Sequence, residues 1–263
     1  MKIVTISLDQ IWENKKANIS LIEGLMLDAC QNKPDVVAFP EMTLTGFTMN
    51  ASEFAEDFGK SITITFFQQL AIKYNVNLVF GVILNTPQMP TNNQILVNRL
   101  GEVVSRYEKI HPFSYSGEDC SYSKGAKIAQ FNIEGVNCAS TICYDLRFPE
   151  LYQILSKESY VIFNIANWPK RRVADWSLLL RARALENQCF MVGVNRTGID
   201  GKGLLYEKSS TVISPQGTEV EAKHLTEIID EYNIDIDALE IYRSSFPVKN
   251  DRRVELYKTF MTC

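Results

Sequence analysis

Three side chains in this sequence could combine into acyl-transfer chemistry: a thiol, a carboxylate and an amine, each at the end of an apolar run. Cys143 follows GVNCASTI (135–142), which reads as a buried strand, and precedes YDLRFPE (144–150), which turns the chain into a helix. At such a turn the N–H groups of the next helix point at the thiol, lowering its pKa and supplying oxyanion donors. The competing reading is a buried cysteine packing as a small hydrophobe, which suits Cys30, Cys138 and Cys189. Glu41 directly follows DVVAF and Pro40, and strand ends in α/β proteins face the ligand crevice. It is a candidate general base there, or else a capping or solvated Glu. Lys109 ends VVSRYEK at the mouth of a long polar loop. It could hold an oxyanion or be a solvated surface lysine. Taken one at a time, none of the three is decisive.

The elements that must position them alternate between β-like and helical patterns. Residues 2–8, 35–42 and 77–84 read as strands, and 18–30 and 62–74 as amphipathic helices. Strand-like runs at 93–98 and 102–108 form a hairpin through Arg99-Leu100-Gly101, and 110–127 is an irregular loop. Loops of that length in compact domains are more often functional than filler. Strands at 129–133 and 136–142 join through Glu134-Gly135, then come a helix at 149–157, a strand at 160–166 and a helix at 174–188. Residues 190–229 read as several strands with turns at Gly198, Gly201 and Pro215–Gly217, and a last helix follows at 235–243. No linker or repeat intervenes. The pattern predicts one α/β (α+β) domain over 1–263, two sheets covered by helices.

Composition narrows the function. The chain is 46% apolar and 22% charged with a net charge of −4, so disorder is excluded and a nucleic-acid partner is a poor expectation. No stretch can span lipid: the longest uncharged run, Tyr74 to Asn98, contains Asn, Gln, Thr and two Pro. MKIVTISLDQ lacks the long apolar core of an export signal. Six scattered cysteines (Cys30, Cys120, Cys138, Cys143, Cys189, Cys263) form no CxxC, and a reduced cytoplasmic protein is expected. Two histidines, His111 and His224, 113 residues apart, give no metal spacing, and no phosphate-cradling glycine loop occurs. No metal or cofactor is expected. A Cys–His dyad through His111 or His224 is a minor alternative.

The blocks FPEMTLTGF (39–47), RYEKIHPF (106–113) and TICYDLRFPE (141–150) resemble the three signature blocks of the nitrilase superfamily of carbon–nitrogen hydrolases. The resemblance continues through NWPKRRVADW (167–176), RARALENQCFMVGVNRTGIDG (181–201) and SPQG (214–217), with a familiar YRSSFP tail at 242–247. It implies a four-layer α-β-β-α sandwich without cofactor, with Cys143 as nucleophile, Glu41 as general base and Lys109 as oxyanion stabiliser. The Glu-Lys-Cys separations here are 68 and 34 residues. Glu118 falls where many members carry a supporting carboxylate. Nitrile-cleaving members usually show Cys-Trp-Glu; here Cys143-Tyr144-Asp145 is similar to the amidase and carbamoyl-hydrolase branches.

The nearest likeness is to omega-amidases, which hydrolyse the terminal amide of 2-oxoglutaramate or 2-oxosuccinamate. An N-carbamoyl amino-acid hydrolase is the alternative, and a non-catalytic nitrilase-fold scaffold is the reading of another class. A carboxylate on the substrate asks for a guanidinium. Arg147 and Arg172 match family arginines, though Arg147 could equally brace its loop through an acid. Phe113, Tyr144 and Trp168 would line the pocket, or be core. Two departures stand out: Pro112 where a Leu is usual, with an effect on one pocket wall, and Lys208 where a Gly is common, which would alter a hairpin that needs positive φ. The resemblance also implies a homodimer or dimer-built oligomer. The helix carrying WSLLLRARALEN, rich in leucine at 178, 179, 180 and 185, is then a contact candidate unless it is wholly core.

Overall fold

The computed structural model describes residues 1–261; Cys263, among the six cysteines considered above, lies outside them. In chain order the strands are β1 (Lys2–Ile6), β2 (Val36–Ala38), β3 (Asn77–Leu84), β4 (Thr91–Val97), β5 (Val103–Glu108), β6 (Gln130–Ile133), β7 (Val136–Ile142), β8 (Val161–Ala166) and β9 (Phe190–Asn195). Short strands follow: β10 (Gly198–Ile199), β11 (Leu205–Tyr206), β12 (Thr211–Ile213), β13 (Lys223–His224) and β14 (Ile229–Asn233). The helices are α1 (Lys15–Cys30), α2 (Ala51–Phe54), α3 (Ile62–Tyr74), α4 (Glu118–Ser121), α5 (Pro149–Leu155), α6 (Val173–Asn187), α7 (Ile236–Ser245) and α8 (Val254–Met261).

Two sheets result. One has the order β13-β14-β1-β2-β3-β4-β5, the other β12-β9-β8-β7-β6, with β10 and β11 as a separate ribbon. Strands β1, β2 and β3 run parallel, as do β7, β8 and β9. Side-chain alternation then sorts the layers. Val4, Ile6, Val37, Phe80 and Ile95 pack outward on Ile22 and Met26 of α1 and Phe67 and Leu70 of α3. Ile3, Val36, Val79 and Leu96 face inward to Ile142, Phe163 and Val192 of the second sheet. That sheet is covered in turn by Tyr152 of α5 and Trp176 and Leu180 of α6. The protein is an α-β-β-α sandwich.

Several ends differ from the sequence reading for local reasons. Helix α1 starts at Lys15 rather than 18, because Asn14 accepts a hydrogen bond from the Ala17 N–H at 3.0 Å and caps it. Strand β2 stops at Ala38, short of the expected 42. Pro40 has no N–H to give a ladder, and Met42 takes a left-handed φ of 47°. The 110–127 loop contains α4, and α8 was not anticipated at all. The expected hairpin problem at Lys208 does not arise: its φ is not positive, and its Nζ pairs with Asp230 at 2.8 Å.

The turn after β2 is held by polar contacts from three directions. Gln10 Nε2 donates to the carbonyls of Glu41 and Met42 at 3.0 and 2.9 Å. Thr43 Oγ1 accepts from the Gly81 N–H at 2.8 Å, and the Thr43 N–H donates to Gly81 O at 3.1 Å. Gly81 allows this approach, since a Cβ there would lie 2.2 Å from Met42 N and 2.8 Å from the Glu41 carbonyl carbon. Both are immobile backbone atoms. Gly81→Ala is therefore expected to lower stability by about 1–3 kcal/mol, the usual range for overpacking. A urea midpoint equal to wild type would show that the turn yields freely.

Candidate active site

Glu41, Lys109 and Cys143 follow β2, β5 and β7, so three strands in two sheets deliver their side chains to one point. Lys109 Nζ lies 2.8 Å from Glu41 Oε1 and 2.8 Å from Glu118 Oε2. All three groups are almost wholly buried. Asn92 Nδ2 donates to Glu41 Oε1 at 2.7 Å and to Glu118 Oε1 at 3.0 Å, tying the two carboxylates together. The Phe113 N–H donates to Glu118 Oε2 at 2.5 Å, and the Asn167 N–H donates to Glu41 Oε2 at 3.0 Å. The ammonium also sits 5.2 Å from the Phe47 ring centre.

Charge explains how these groups titrate. Burial works to neutralise Lys109, but the Glu118 and Glu41 carboxylates outweigh it and push the amine well above its ordinary value. Glu118 is raised by burial, with Lys109 opposing. Cys143 is raised well above a free thiol, first by burial and then by Glu41; Lys109 and the Asn167 N–H pull the other way. The expectation of a lowered thiol pKa at this turn is thus reversed. Two carboxylates flank one lysine, so the surroundings already lean negative and resist a thiolate.

The Cys143 turn is strained and braced. Its φ of 45° is left-handed, uncommon for a non-glycine residue and frequent at functional sites. Asp145, fully buried, holds it: its Oδ2 accepts from the Ile142 N–H at 2.9 Å and from Tyr107 Oη at 2.7 Å. Its Oδ1 accepts from the His111 N–H at 3.0 Å and lies 2.8 Å from His111 Nδ1. One carboxylate therefore joins the cysteine turn to the residues on either side of Lys109. His111 stacks on Phe148 at 3.8 Å. It makes no hydrogen bond to Cys143 among the described residues, and the Cys–His dyad gains no support.

Cys143 opens into a cavity of about 270 Å³ lined by Phe47, Phe113, Tyr144, Asn167, Trp168 and Arg172 among others. That is near the small end of ligand pockets, roughly 300–1,000 Å³. Arg147 also lines it, but Nη2 pairs with Asp175 Oδ2 at 2.7 Å and the guanidinium lies 5.1 Å from the Trp168 ring. Arg172 has no carboxylate partner among the described residues and stacks 5.2 Å from Phe113. Burial, then Arg171 and Arg147, lower its pKa. Trp168 gives its indole N–H to Arg172 O at 2.7 Å. Pro112 is buried and outside the lining. Among the described residues no cluster of His, Cys, Asp or Glu could hold a metal ion.

Asn92, Asp145 and Asn167 escaped the sequence reading. For Asn167 a signal existed: an amide directly after an apolar strand, placed like Glu41 after its own. Asn92 lies in TNNQILV, where its neighbours are equally polar and nothing marks one amide.

A buried carboxylate–lysine cluster beside a cysteine on an α-β-β-α sandwich is an arrangement suited to acyl transfer through a thiol. The chain belongs to the carbon-nitrogen hydrolase family, whose model matches residues 3–241. It is 33% identical over 226 residues to the 2-oxoglutaramate amidase of Bacillus subtilis (strain 168), covering 85% of this chain and 86% of that protein. It is 30% identical over 254 residues to the omega-amidase YafV of Yersinia enterocolitica, covering 95% and 96%. A solved CN-hydrolase superfamily protein from Xanthomonas campestris, carrying an arsenic adduct in its active site, superposes with a TM-score of 0.89. Its identity is 28%, over 96% of this chain and 97% of that one.

The raised thiol gives a direct test. In a 240 nm difference titration of wild type against Cys143→Ala, no thiolate step is expected at or below pH 9, the ordinary value. A step near neutrality would mean a preformed ion pair.

Proposed function

We propose that the protein is an omega-amidase that hydrolyses the terminal amide of a small 2-oxo dicarboxylic acid monoamide through a thioester on Cys143. Glu41 takes the Sγ proton as sulfur attacks the amide carbon, and Lys109 with a backbone N–H after Cys143 holds the oxyanion. The tetrahedral intermediate collapses, the C–N electron pair leaves with nitrogen, and Glu41 returns the proton so that ammonia departs. Glu41 next deprotonates the water that attacks the thioester carbon, the C–S electron pair leaves with sulfur, and Glu41 returns the proton to Sγ as the acid departs. Glu118 keeps Lys109 charged and in place. No step calls for a cofactor.

The observation that carries the substrate class is Arg172. A half-buried guanidinium without a carboxylate, crowded by two other arginines, gains most from an incoming anion, and it shares the cavity with Cys143. Arg147 is already paired, so its part is to brace Trp168 and α6. Phe113, Tyr144 and Trp168 supply apolar walls. The names of the Bacillus and Yersinia relatives agree with this reading.

Wild type should release ammonia from 2-oxoglutaramate, and Cys143→Ala should not. Arg172→Ala should raise KM about ten- to hundredfold, the range for losing one charged hydrogen-bonded pair, and Arg147→Ala should raise it less. Preference for N-carbamoyl-β-alanine over 2-oxoglutaramate would replace this substrate with the carbamoyl alternative.

We also propose a single domain acting as a homodimer in a reducing, cytoplasmic setting. The five described cysteines are free, and no helix among the described residues is long and apolar enough to cross a membrane. On α6, Leu180 is buried while Leu178 and Leu185 are 68% and 53% exposed, so the helix is half core and half open. Leu178→Asp with Leu185→Asp should shift the protein to monomer in sedimentation. An unchanged oligomer would place the contact elsewhere.

A further inference from the structure

Away from the catalytic cavity, cations gather around a second one. It has a volume of about 450 Å³ and is lined by Lys157, Gln188, Arg243, Ser244, Lys249 and Asn250 among others, with no Asp or Glu in its wall. It shares no lining residue with the cavity that holds Cys143. Basic side chains of the C-terminal segment reach it or its edge, and each donates to backbone oxygen. Arg243 Nε and Nη2 donate to Gln188 O and Ser159 O at 2.8 and 2.9 Å. Lys249 Nζ donates to Ser156 O at 2.6 Å, and Arg252 Nη2 to Glu186 O at 2.7 Å. None of these three, nor Lys157, forms an ion pair among the described residues. The nearby acids are engaged elsewhere: Glu186 pairs with Arg183 at 3.0 Å, and Glu240 accepts from Tyr160 Oη at 2.9 Å.

Helix ends do not balance this charge. A helix C-terminus carries only about half a negative charge, so those of α5, α6 and α7 together fall short of Lys157, Arg243, Lys249 and Arg252. The excess shows on Lys249, whose amine is lowered to about 8 by burial first and then by Arg243 and Arg252. Donors are also left over: Arg243 Nη1, two of the three Lys249 ammonium protons and the Lys157 ammonium have no partner among the described residues. A guanidinium edge beside point-charge ammonium groups suits a tetrahedral oxyanion. We propose that this cavity is an anion-binding site, separate from the catalytic one, that takes a phosphate-like dianion, either free or as the head of a small phosphate ester. An anion bound there supplies the counter-charge that the helix ends lack, and it stabilises the native state by mass action.

The test is a calorimetric titration with sulfate at constant ionic strength, sulfate keeping its charge across the pH range used. Binding should be saturable in wild type and unchanged in Arg172→Ala, which removes the open cation of the catalytic cavity. Lys249→Gln should weaken it roughly tenfold or more, the size of losing one charged hydrogen bond, and Lys157→Gln should weaken it in the same direction. Wild-type affinity should fall between pH 7 and pH 9 as Lys249 loses its proton near 8, and Lys249→Gln should flatten that fall. The other groups facing Lys249 hold their state there: Arg243 and Arg252 stay charged, and the Cys189 thiol, pushed up to about 12, stays protonated. No saturable binding in wild type overturns the proposal. So does binding that Arg172→Ala abolishes while the two lysine variants leave it intact. Should Lys249→Gln fail to fold, Lys157→Gln decides alone, because Lys157 makes none of the carbonyl contacts above. Glycerol phosphate titrated beside sulfate separates the two sources: tighter binding assigns a phosphate ester, weaker binding the free ion, and either supports the site.

Discussion

Lys109 carries a full charge where water does not reach, and the architecture around it follows from that. An ammonium in such a place needs carboxylates at contact distance. Glu41 and Glu118 supply them at 2.8 Å each. The pair would repel one another without the lysine and without Asn92, whose single amide group donates to both. Breaking a buried ion pair by removing one partner typically destabilises by about 3–5 kcal/mol. The trio is therefore a structural element as much as a chemical one, and the turns that carry its members have to be held tightly.

That demand accounts for the strain on both sides of the site. Met42 and Cys143 each sit in the left-handed region, one residue after Glu41 and at the thiol itself. Gln10, Thr43 and Gly81 fix the first turn; Asp145, Tyr107 and His111 fix the second. Farther out, Arg243, Lys249 and Arg252 donate to the carbonyls of Gln188, Ser156 and Glu186 at the C-terminal ends of α5 and α6. Cations belong at helix C-termini. Helix α7 and the segment that follows it thus clasp the two helices that cover the second sheet, the sheet whose β7 and β8 lead into Cys143 and Asn167.

Periodicity in the sequence located the parallel strands and their crossover helices, because a strand buried on both faces and a helix with one apolar face leave distinct local patterns. It misplaced the end of β2: the Phe39 N–H still donates to Val79 O at 2.8 Å, but Pro40 has no N–H with which to carry the ladder on to 42. The catalytic candidates were legible through their motifs, each being a short contiguous block. Asn92 and Asn167 were not, because their meaning lies in pairings across 51 and 126 residues. Arg147 and Arg172 look alike in sequence; only Asp175, one helical turn on from Arg172, separates the occupied cation from the open one.

The thiol shows why environment must be read with geometry. Burial raises Cys30, Cys138 and Cys189 as it raises Cys143, so a perturbed pKa by itself would select none of them. Only Cys143 adjoins a carboxylate that can take its proton, a lysine held charged and a cavity open to a substrate. A thiolate formed in advance would be repelled by Glu41 and Glu118. On the proposed mechanism, a thiolate formed as the amide carbon accepts the sulfur passes its charge to an oxygen beside Lys109, whose amine the same two carboxylates hold charged. Burial first, and Glu41 after it, hold the resting thiol protonated, and on the proposed mechanism the same carboxylate helps keep the oxyanion's counter-charge on Lys109 in place.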